Sequence, residues 1–141
     1  MTRNEISNFF ARRDQNWNRH DVPALVADHA EEGNLESPLA VKVKGRSAIK
    51  NNYTAWFSSF PDVQYNIEHL VIDGNRAVQF GKMVGTHKGE FCGLAPTGKK
   101  FEVHFAFLFM FEQGKIAHEV RIYEFTGVLL QLGVLKAKPG F

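Results

Sequence analysis

Six apolar side chains, each separated from the next by one residue, restrict the fold of this chain more than any other feature. They are Phe101, Val103, Phe105, Phe107, Phe109 and Phe111. This alternation predicts a β-strand that turns the whole row toward one interior face. The sequence holds 13 Phe among 141 residues, and each Phe buries a large apolar area without a polar group. We therefore expect an interior rich in aromatic rings.

The part of the chain before residue 62 follows helical spacing. Thr2 and Glu5 have the spacing of a capping box, which marks a helix start. The apolar face of that helix carries Ile6, Phe9, Phe10 and Trp17, and the residues expected to point away from it are Arg12, Arg13 and Asn16. Two further helices are predicted, one from Asp21 and one after Gly45. Two short strands are predicted between them.

After residue 62 the apolar spacing changes to two. The predicted strands are Val63 to Ile72, Ala77 to Thr86, Phe101 to Phe111 and Ile116 to Glu124, and a short closing helix follows from Gly127 to Leu132. Helices followed by an antiparallel meander predict an α+β architecture with the helices on one face of a curved sheet. We expect one domain spanning residues 1–141.

Composition excludes several classes of partner. The net charge is +2, and no basic run exceeds two residues, which argues against a nucleic-acid partner because phosphate binding needs a concentrated basic face. Cys92 is the one cysteine, so no internal disulfide is expected. The polar N-terminus shows no apolar segment of the secretory type, so no signal sequence is expected. No stretch approaches the roughly 20 apolar residues needed to span a bilayer. These features predict a cytoplasmic protein.

Several short motifs, in order, resemble the SnoaL-like polyketide cyclases. They are Gly85-Thr86-His87-Lys88-Gly89-Glu90-Phe91, Pro96-Thr97-Gly98-Lys99, Gly114-Lys115-Ile116 and Gln131-Leu132-Gly133, preceded by Gly45 with Ile49 and by Phe60-Pro61-Asp62. The resemblance covers roughly residues 5 to 135. It implies the nuclear transport factor 2-like fold, a cone-shaped, strongly bent, mostly antiparallel sheet wrapped around the N-terminal helices with an internal pocket.

The resemblance also implies a range of activities. Known members of the family close a polyketide ring by aldol condensation without metal or cofactor, and relatives isomerise, dehydrate, hydrolyse epoxides or only bind. The catalytic aspartate of the family is matched by Arg121, and a histidine on the neighbouring strand is matched by Phe107. An arginine is charged at ordinary pH and does not act as a general base.

Glu119, Arg121 and Tyr123 share one face of the last strand because side chains alternate with period two. One hypothesis makes Glu119 a general base, Arg121 the group that stabilises an oxyanion and Tyr123 a donor. The alternative is a buried Glu–Arg pair with a structural role. The residues expected to line the pocket are Trp17, Tyr53, Trp56, Phe57, Phe105, Phe107 and His87, of which His87 also fits a bond to its own loop. Neither a metal site nor a cofactor is predicted.

The sequence thus predicts a pocket for a hydrophobic small molecule. The chain is expected to be either a cofactor-free cyclase, isomerase or lyase that acts by proton transfer on a carbonyl compound, or a non-catalytic carrier. Water addition to an epoxide is a further alternative. Apolar residues are also expected on the outer sheet face: Ala106, Leu108, Met110, Ile116, Val120 and Ile122. A sheet that is apolar on both faces must be covered on both, which predicts a homodimer.

Overall fold

The computed structural model describes residues 1–39 and 41–137 of the chain. Within these residues the elements are α1 (Arg3–Asn18), α2 (Val22–Ala27), β1 (His29–Glu36), β2 (Val43–Lys44), α3 (Arg46–Ser59), β3 (Gln64–Asp73), β4 (Arg76–Thr86), β5 (Lys100–Glu112), β6 (Lys115–Tyr123) and α4 (Phe125–Gln131). The predicted elements agree with these, with shifts of a few residues at their ends.

The strands form one open sheet in the order β2-β1-β6-β5-β4-β3. β1 runs parallel to β6, and the other neighbouring strands are antiparallel. Register shifts interrupt β3, β6 and the β1–β6 pairing, and such bulges bend and twist a strand. The predicted α+β fold with a mostly antiparallel sheet is confirmed.

Helix α1 lies on the inner face of the sheet. The predicted capping box begins it: the Thr2 hydroxyl accepts from the Glu5 amide at 3.1 Å, and the Glu5 carboxylate accepts from the Thr2 amide at 3.0 Å. From α1, Phe10 meets Phe109 with ring centroids 4.9 Å apart and an edge-to-face geometry. The alternating row of β5 therefore forms the core, as its period predicts.

Ile116 was expected on the outer face, and that prediction is wrong. Phe111 pairs with Ile116 whereas Met110 pairs with His118, so Ala117 is an extra residue in β6. A bulge of this kind shifts the alternation by one position. Ile116 is consequently fully buried, on the same side as the residues that follow the bulge at positions 119 and 121.

The outer face of the sheet carries an apolar patch across three adjacent strands. Two cross-strand rows form it, Phe80–Ala106–Ile122 and Val78–Leu108–Val120. Phe80 is 42% exposed and Ile122 is 62% exposed. We call these six residues the outer apolar patch.

Candidate functional site

A cavity of about 570 Å³ opens between α3, the inner face of β3 to β6 and the loops that follow β1 and β4. Trp56, Tyr65, Met83, Phe107, Arg121 and Tyr123 are among the residues that line its wall. The volume lies within the range of small-molecule sites, roughly 300–1,000 Å³. Most of these side chains are apolar or aromatic, so the polar groups among them decide what the cavity can orient.

The β4–β5 loop forms one side of the cavity mouth, from Gly89 to Gly93. It is fixed to the end of α3: the Lys88 and Gly89 amides each donate to the Ser59 carbonyl at 3.1 Å, and the Ser59 hydroxyl donates to the Glu90 carbonyl at 2.5 Å. A Cβ on Gly89 would lie 2.1 Å from the Ser58 carbonyl oxygen. Glycine is therefore required for this close approach.

His87 lies at the base of this loop and not on the cavity wall. It is fully buried, and its Nδ1 accepts from the Thr97 amide at 3.2 Å. The His87 amide and carbonyl also pair with Lys99 and Gly98 across the loop. These bonds favour the structural alternative for His87, because they hold the two ends of the loop together.

Three aromatic residues form one side of the cavity wall: Trp56, Tyr65 and Tyr123. The Trp56 indole N–H donates to the Tyr65 hydroxyl at 2.8 Å, and the Trp56 and Tyr123 rings are 5.7 Å apart. Burial raises the pKa of both Tyr65 and Tyr123 above the ordinary value, against the opposing effect of the Arg121 charge. Both hydroxyls therefore keep their protons at neutral pH and can donate to a ligand.

Arg121 supplies a positive charge on the cavity wall. Its Nε donates to Glu119 Oε2 at 2.5 Å, and its Nη1 donates to Asn52 Oδ1 at 2.8 Å. The guanidinium also lies over the Tyr53 ring at 4.8 Å from its centroid, a favourable cation–π position. Nη2 is buried and has no hydrogen-bond partner among the described residues. Arg121 is thus held on two sides, and one of its buried donors is left unpaired within the described residues.

Glu119 lies behind Arg121 and does not line the cavity. It is fully buried and meets Arg13 Nη2 at 3.4 Å on its other oxygen. Burial raises the pKa of Glu119, but the charges of Arg121 and Arg13 outweigh burial and lower that pKa overall. The carboxylate is therefore ionised and is a weaker base than an unpaired carboxylate.

Arg13 is a buried, paired charge that its sequence position did not predict. It was expected to point away from the core, but it is fully buried and donates to Asp28 at 3.1 Å and to the Tyr53 hydroxyl at 2.6 Å. Positions 6, 10, 13 and 17 follow the spacing of one helix face, so its place on that face was visible in the sequence. The burial of Arg13 was not predicted, because a charged arginine is seldom fully buried unless it is paired.

His29 completes this buried cluster. Its Nε2 is 2.7 Å from the Tyr53 hydroxyl and 3.7 Å from Glu119 Oε1. Burial lowers the pKa of His29 to about 3, although Glu119 opposes the effect. The imidazole is therefore neutral at physiological pH.

The aromatic residues expected to line the pocket separate into two groups. Trp56 and Phe107 line the cavity together with Arg121 and Tyr123. The remaining aromatic residues of that set lie in the packed core and outside the cavity lining: Trp17, Tyr53, Phe57 and Phe105. Trp17, Tyr53 and Phe57 pack on one another with centroids 5.3 to 6.3 Å apart.

The model of the SnoaL-like polyketide cyclase family matches residues 9–132. No curated protein sequence matches the chain. No helix among the described residues is long and apolar enough to cross a bilayer.

Solved structures with the same fold are numerous. AclR, a proposed hydroxylase from Streptomyces galilaeus, is 22% identical with a TM-score of 0.85, over 99% of this chain and 87% of that chain. TsrD from Streptomyces laurentii is 22% identical with a TM-score of 0.83, over 96% and 99%. IdmH, a proposed polyketide cyclase from Streptomyces antibioticus, is 23% identical with a TM-score of 0.76, over 90% and 97%. At these identities the likeness establishes the shared fold.

Proposed function

Because the chain belongs to the SnoaL-like polyketide cyclase family, we propose that its cavity binds a hydrophobic small molecule through a carbonyl or enolate oxygen at Arg121. Arg121 carries this proposal: it is the one cation that the described residues place on the cavity lining, and its Nη2 has no hydrogen-bond partner among them. A buried donor without a partner costs free energy, and a ligand oxygen would remove that cost. The apolar and aromatic wall around it suits the rest of such a ligand.

Tyr65 and Tyr123 support the same assignment. Each hydroxyl belongs to a cavity-lining residue, and each is close enough to Arg121 for the two groups to influence one another's ionisation. The Tyr65 hydroxyl already accepts from Trp56, which leaves its own proton to donate. One cationic donor and two neutral donors thus surround an apolar space, which is the arrangement typical of a site that orients an oxygen-bearing ligand.

Cofactor-free proton transfer on a bound carbonyl compound, as in a cyclase, isomerase or lyase, is the second candidate function. Arg121 would stabilise the enolate oxygen and Tyr123 would donate a proton. Glu119 as the base is supported by its position next to Arg121, but its paired state and lowered pKa weaken it. Ligand binding is therefore the first candidate function and proton transfer the second. Epoxide hydrolysis ranks below both, because the one carboxylate that the described residues place on the cavity lining is Glu90 at the exposed mouth.

Cys92 provides a direct test of cavity binding. It is the one cysteine of the sequence, and it is exposed at the cavity mouth. We expect 9-fluorenone, an aromatic ketone, to displace a hydrophobic dye from one site per chain and to slow the reaction of Cys92 with a chromogenic disulfide reagent severalfold. Fluorene, which lacks the oxygen, should bind more weakly.

A control variant separates occupancy of the cavity from a general effect of the ketone. Cys92→Ser combined with Ser7→Cys moves the thiol to the exposed side of α1, outside the cavity lining. This variant should react at the same rate with and without fluorenone. If fluorenone and fluorene both fail to bind, or if a bound ketone leaves the reactivity of Cys92 unchanged, the proposed function is wrong.

The outer apolar patch supports a homodimer. Its central residues lie on β4, β5 and β6, and Phe80 and Ile122 are exposed within the described chain. A second copy of the same face would remove this apolar area from water. Sedimentation at micromolar concentration should give a dimer mass, and Leu108→Glu should give a monomer with an unchanged fold. A monomeric wild-type protein would contradict this assembly.

A further inference from the structure

Five charged side chains of alternating sign connect the protein surface to the cavity wall, and we call them the ion chain. In order they are Arg12, Asp28, Arg13, Glu119 and Arg121. Their successive nitrogen–oxygen distances are 2.7, 3.1, 3.4 and 2.5 Å. Arg12 is half-exposed, whereas the other four side chains are buried. The four buried charges sum to zero, two positive and two negative.

Glu119 divides its two oxygens between two arginines. Oε2 accepts from Arg121 Nε, while Oε1 lies 3.4 Å from Arg13 Nη2. An arginine and a carboxylate in contact frequently form a bidentate pair with two parallel hydrogen bonds. Here Arg121 receives only one oxygen of Glu119, and its Nη2 stays unpaired within the described part of the chain.

We propose that Arg13 is a positioning residue that holds Oε1 of Glu119 away from Arg121. Nη2 of Arg121 is thereby left without a protein partner, so that the guanidinium on the cavity wall can turn this donor to a ligand oxygen. This inference rests on the proposed function, because it explains why the donor assigned to the ligand is free. Arg13 itself does not line the cavity. The route that we assign to its effect on a ligand is Glu119, which contacts both arginines.

The anchorage of Arg13 supports this role. Its Nη1 donates to Asp28 at 3.1 Å, and its Nη2 donates to the Tyr53 hydroxyl at 2.6 Å. Asp28 is in turn bound by Arg12 at 2.7 Å. Arg13 is thus fixed from two sides before it meets Glu119. His29, the other group near Oε1, is neutral at physiological pH because burial lowers its pKa to about 3. Arg13 is therefore the cation that holds Oε1.

Replacement of Arg13 by an apolar residue of similar length tests the inference. In Arg13→Met, Oε1 is free to turn to Nη2 of Arg121, and the ion pair becomes bidentate. We expect wild-type protein to prefer fluorenone over fluorene by about tenfold, the effect of one hydrogen bond to a charged donor. Arg13→Met should reduce that preference to about twofold or less while its affinity for fluorene is unchanged. A role confined to folding would weaken both ligands equally.

Two further variants complete the experiment. Arg3→Met is the matched control, because Arg3 is an exposed arginine of α1 that lies outside the ion chain; it should keep the tenfold preference. Arg13→Met combined with Glu119→Gln should regain most of the preference, since a neutral amide does not hold Nη2 as a carboxylate does. If Arg13→Met fails to fold, Arg13→Gln keeps a donor for Tyr53 and carries the same expectation.

The outcomes separate this inference from the proposed function. Absence of ketone preference in the wild-type protein contradicts the proposed function. A wild-type preference that persists in Arg13→Met or Arg13→Gln contradicts the positioning role alone, as does a double variant that stays as unselective as the single one.

Discussion

The interior of this protein has two halves that differ in packing although their residues look alike in the sequence. On one side, Trp17 of α1 and Tyr53 of α3 pack on each other and on the arginines of the ion chain, and Phe57 packs on both rings. On the other side, Trp56 and Tyr123 line a cavity of about 570 Å³. Arg121 lies at the boundary, with its guanidinium over the Tyr53 ring and its side chain on the cavity wall.

The contrast teaches that a buried aromatic residue and a ligand-facing one share the same periodicity. Phe105 and Phe107 lie on one face of β5, and each is 3% exposed. Phe107 lines the cavity, whereas Phe105 packs against Tyr65 at 5.5 Å. Which of them faces empty space depends on the loops and on α3, and not on the strand that carries both.

Truncation of these two phenylalanines gives the largest expected difference between the halves. Phe105→Ala should lower the free energy of unfolding by about 4 kcal/mol, because it opens a new void in packed core. Phe107→Ala should cost only about 2 kcal/mol, because the ring already borders a cavity and its removal enlarges that space instead of opening a closed void. Urea denaturation of both variants measures the difference. Equal losses would mean that the two positions are packed alike.

Removal of the charge at Glu119 tests whether the packed half depends on its ion chain. Glu119→Gln leaves two buried arginines with too few counter-ions, so we expect the free energy of unfolding to fall by about 3 kcal/mol. The matched control at the open half is Glu90→Gln, an exposed carboxyl at the cavity mouth, which should change stability by less than about 0.5 kcal/mol. A loss of stability of similar size in both variants would show that the packed half does not depend on its ion chain more than the open half depends on its surface charge.

The burial of His29 in the packed half predicts that the free energy of unfolding depends on pH. The pKa of His29 is about 3 in the folded protein and about 6.5 in an unfolded chain. Between pH 3 and pH 6.5, the unfolded state therefore binds a proton that the folded state does not bind. Stability is complete above pH 6.5 and declines as pH falls toward 3, by about 2 kcal/mol between pH 6.5 and 5.

Unfolding measured at pH 7 and pH 5 in wild-type protein and in His29→Gln checks this expectation. The variant should lose about 2 kcal/mol less than the wild type over that interval. Identical pH profiles would show that His29 takes up its proton in the folded state.

A large side chain placed at the cavity mouth should have the smallest effect on stability of the changes considered. Ala55 is exposed at the cavity mouth, so Ala55→Trp should obstruct ligand entry and weaken fluorenone binding at least tenfold while stability changes by less than about 0.5 kcal/mol. Thr54→Trp, on the neighbouring exposed residue outside the cavity lining, is the control and should bind normally. Undiminished binding by Ala55→Trp would mean that the ligand enters elsewhere.

Much of this fold could be predicted because its signals are local. The capping box at Thr2, the helical spacing before residue 62 and the alternation along β5 each depend on a few neighbouring residues. The family resemblance was confirmed over residues 9–132. Ile116 was misplaced because one extra residue, Ala117, shifts the alternation of β6, and sequence periodicity does not register a bulge within a strand.

The site was predicted less completely because it depends on contacts between distant elements. Arg121, Tyr123, Trp56 and Phe107 do meet on one cavity. The burial of Arg13 was not predicted, because the carboxylates that pair with it, Asp28 and Glu119, lie 15 and 106 residues away along the chain. A charged residue at an apolar position of a helix is the signal to search for in similar sequences.

The most direct test of the account is the affinity of fluorenone and fluorene for wild-type protein and for Arg121→Met, measured by dye displacement. The variant removes one cation and leaves Glu119 paired with Arg13, so it should fold. The account predicts about a tenfold preference for the ketone in the wild type, equivalent to about 1.4 kcal/mol, and equal affinities in Arg121→Met. A ketone preference of the same size in both proteins would contradict the role of Arg121 as the anchor of the ligand oxygen.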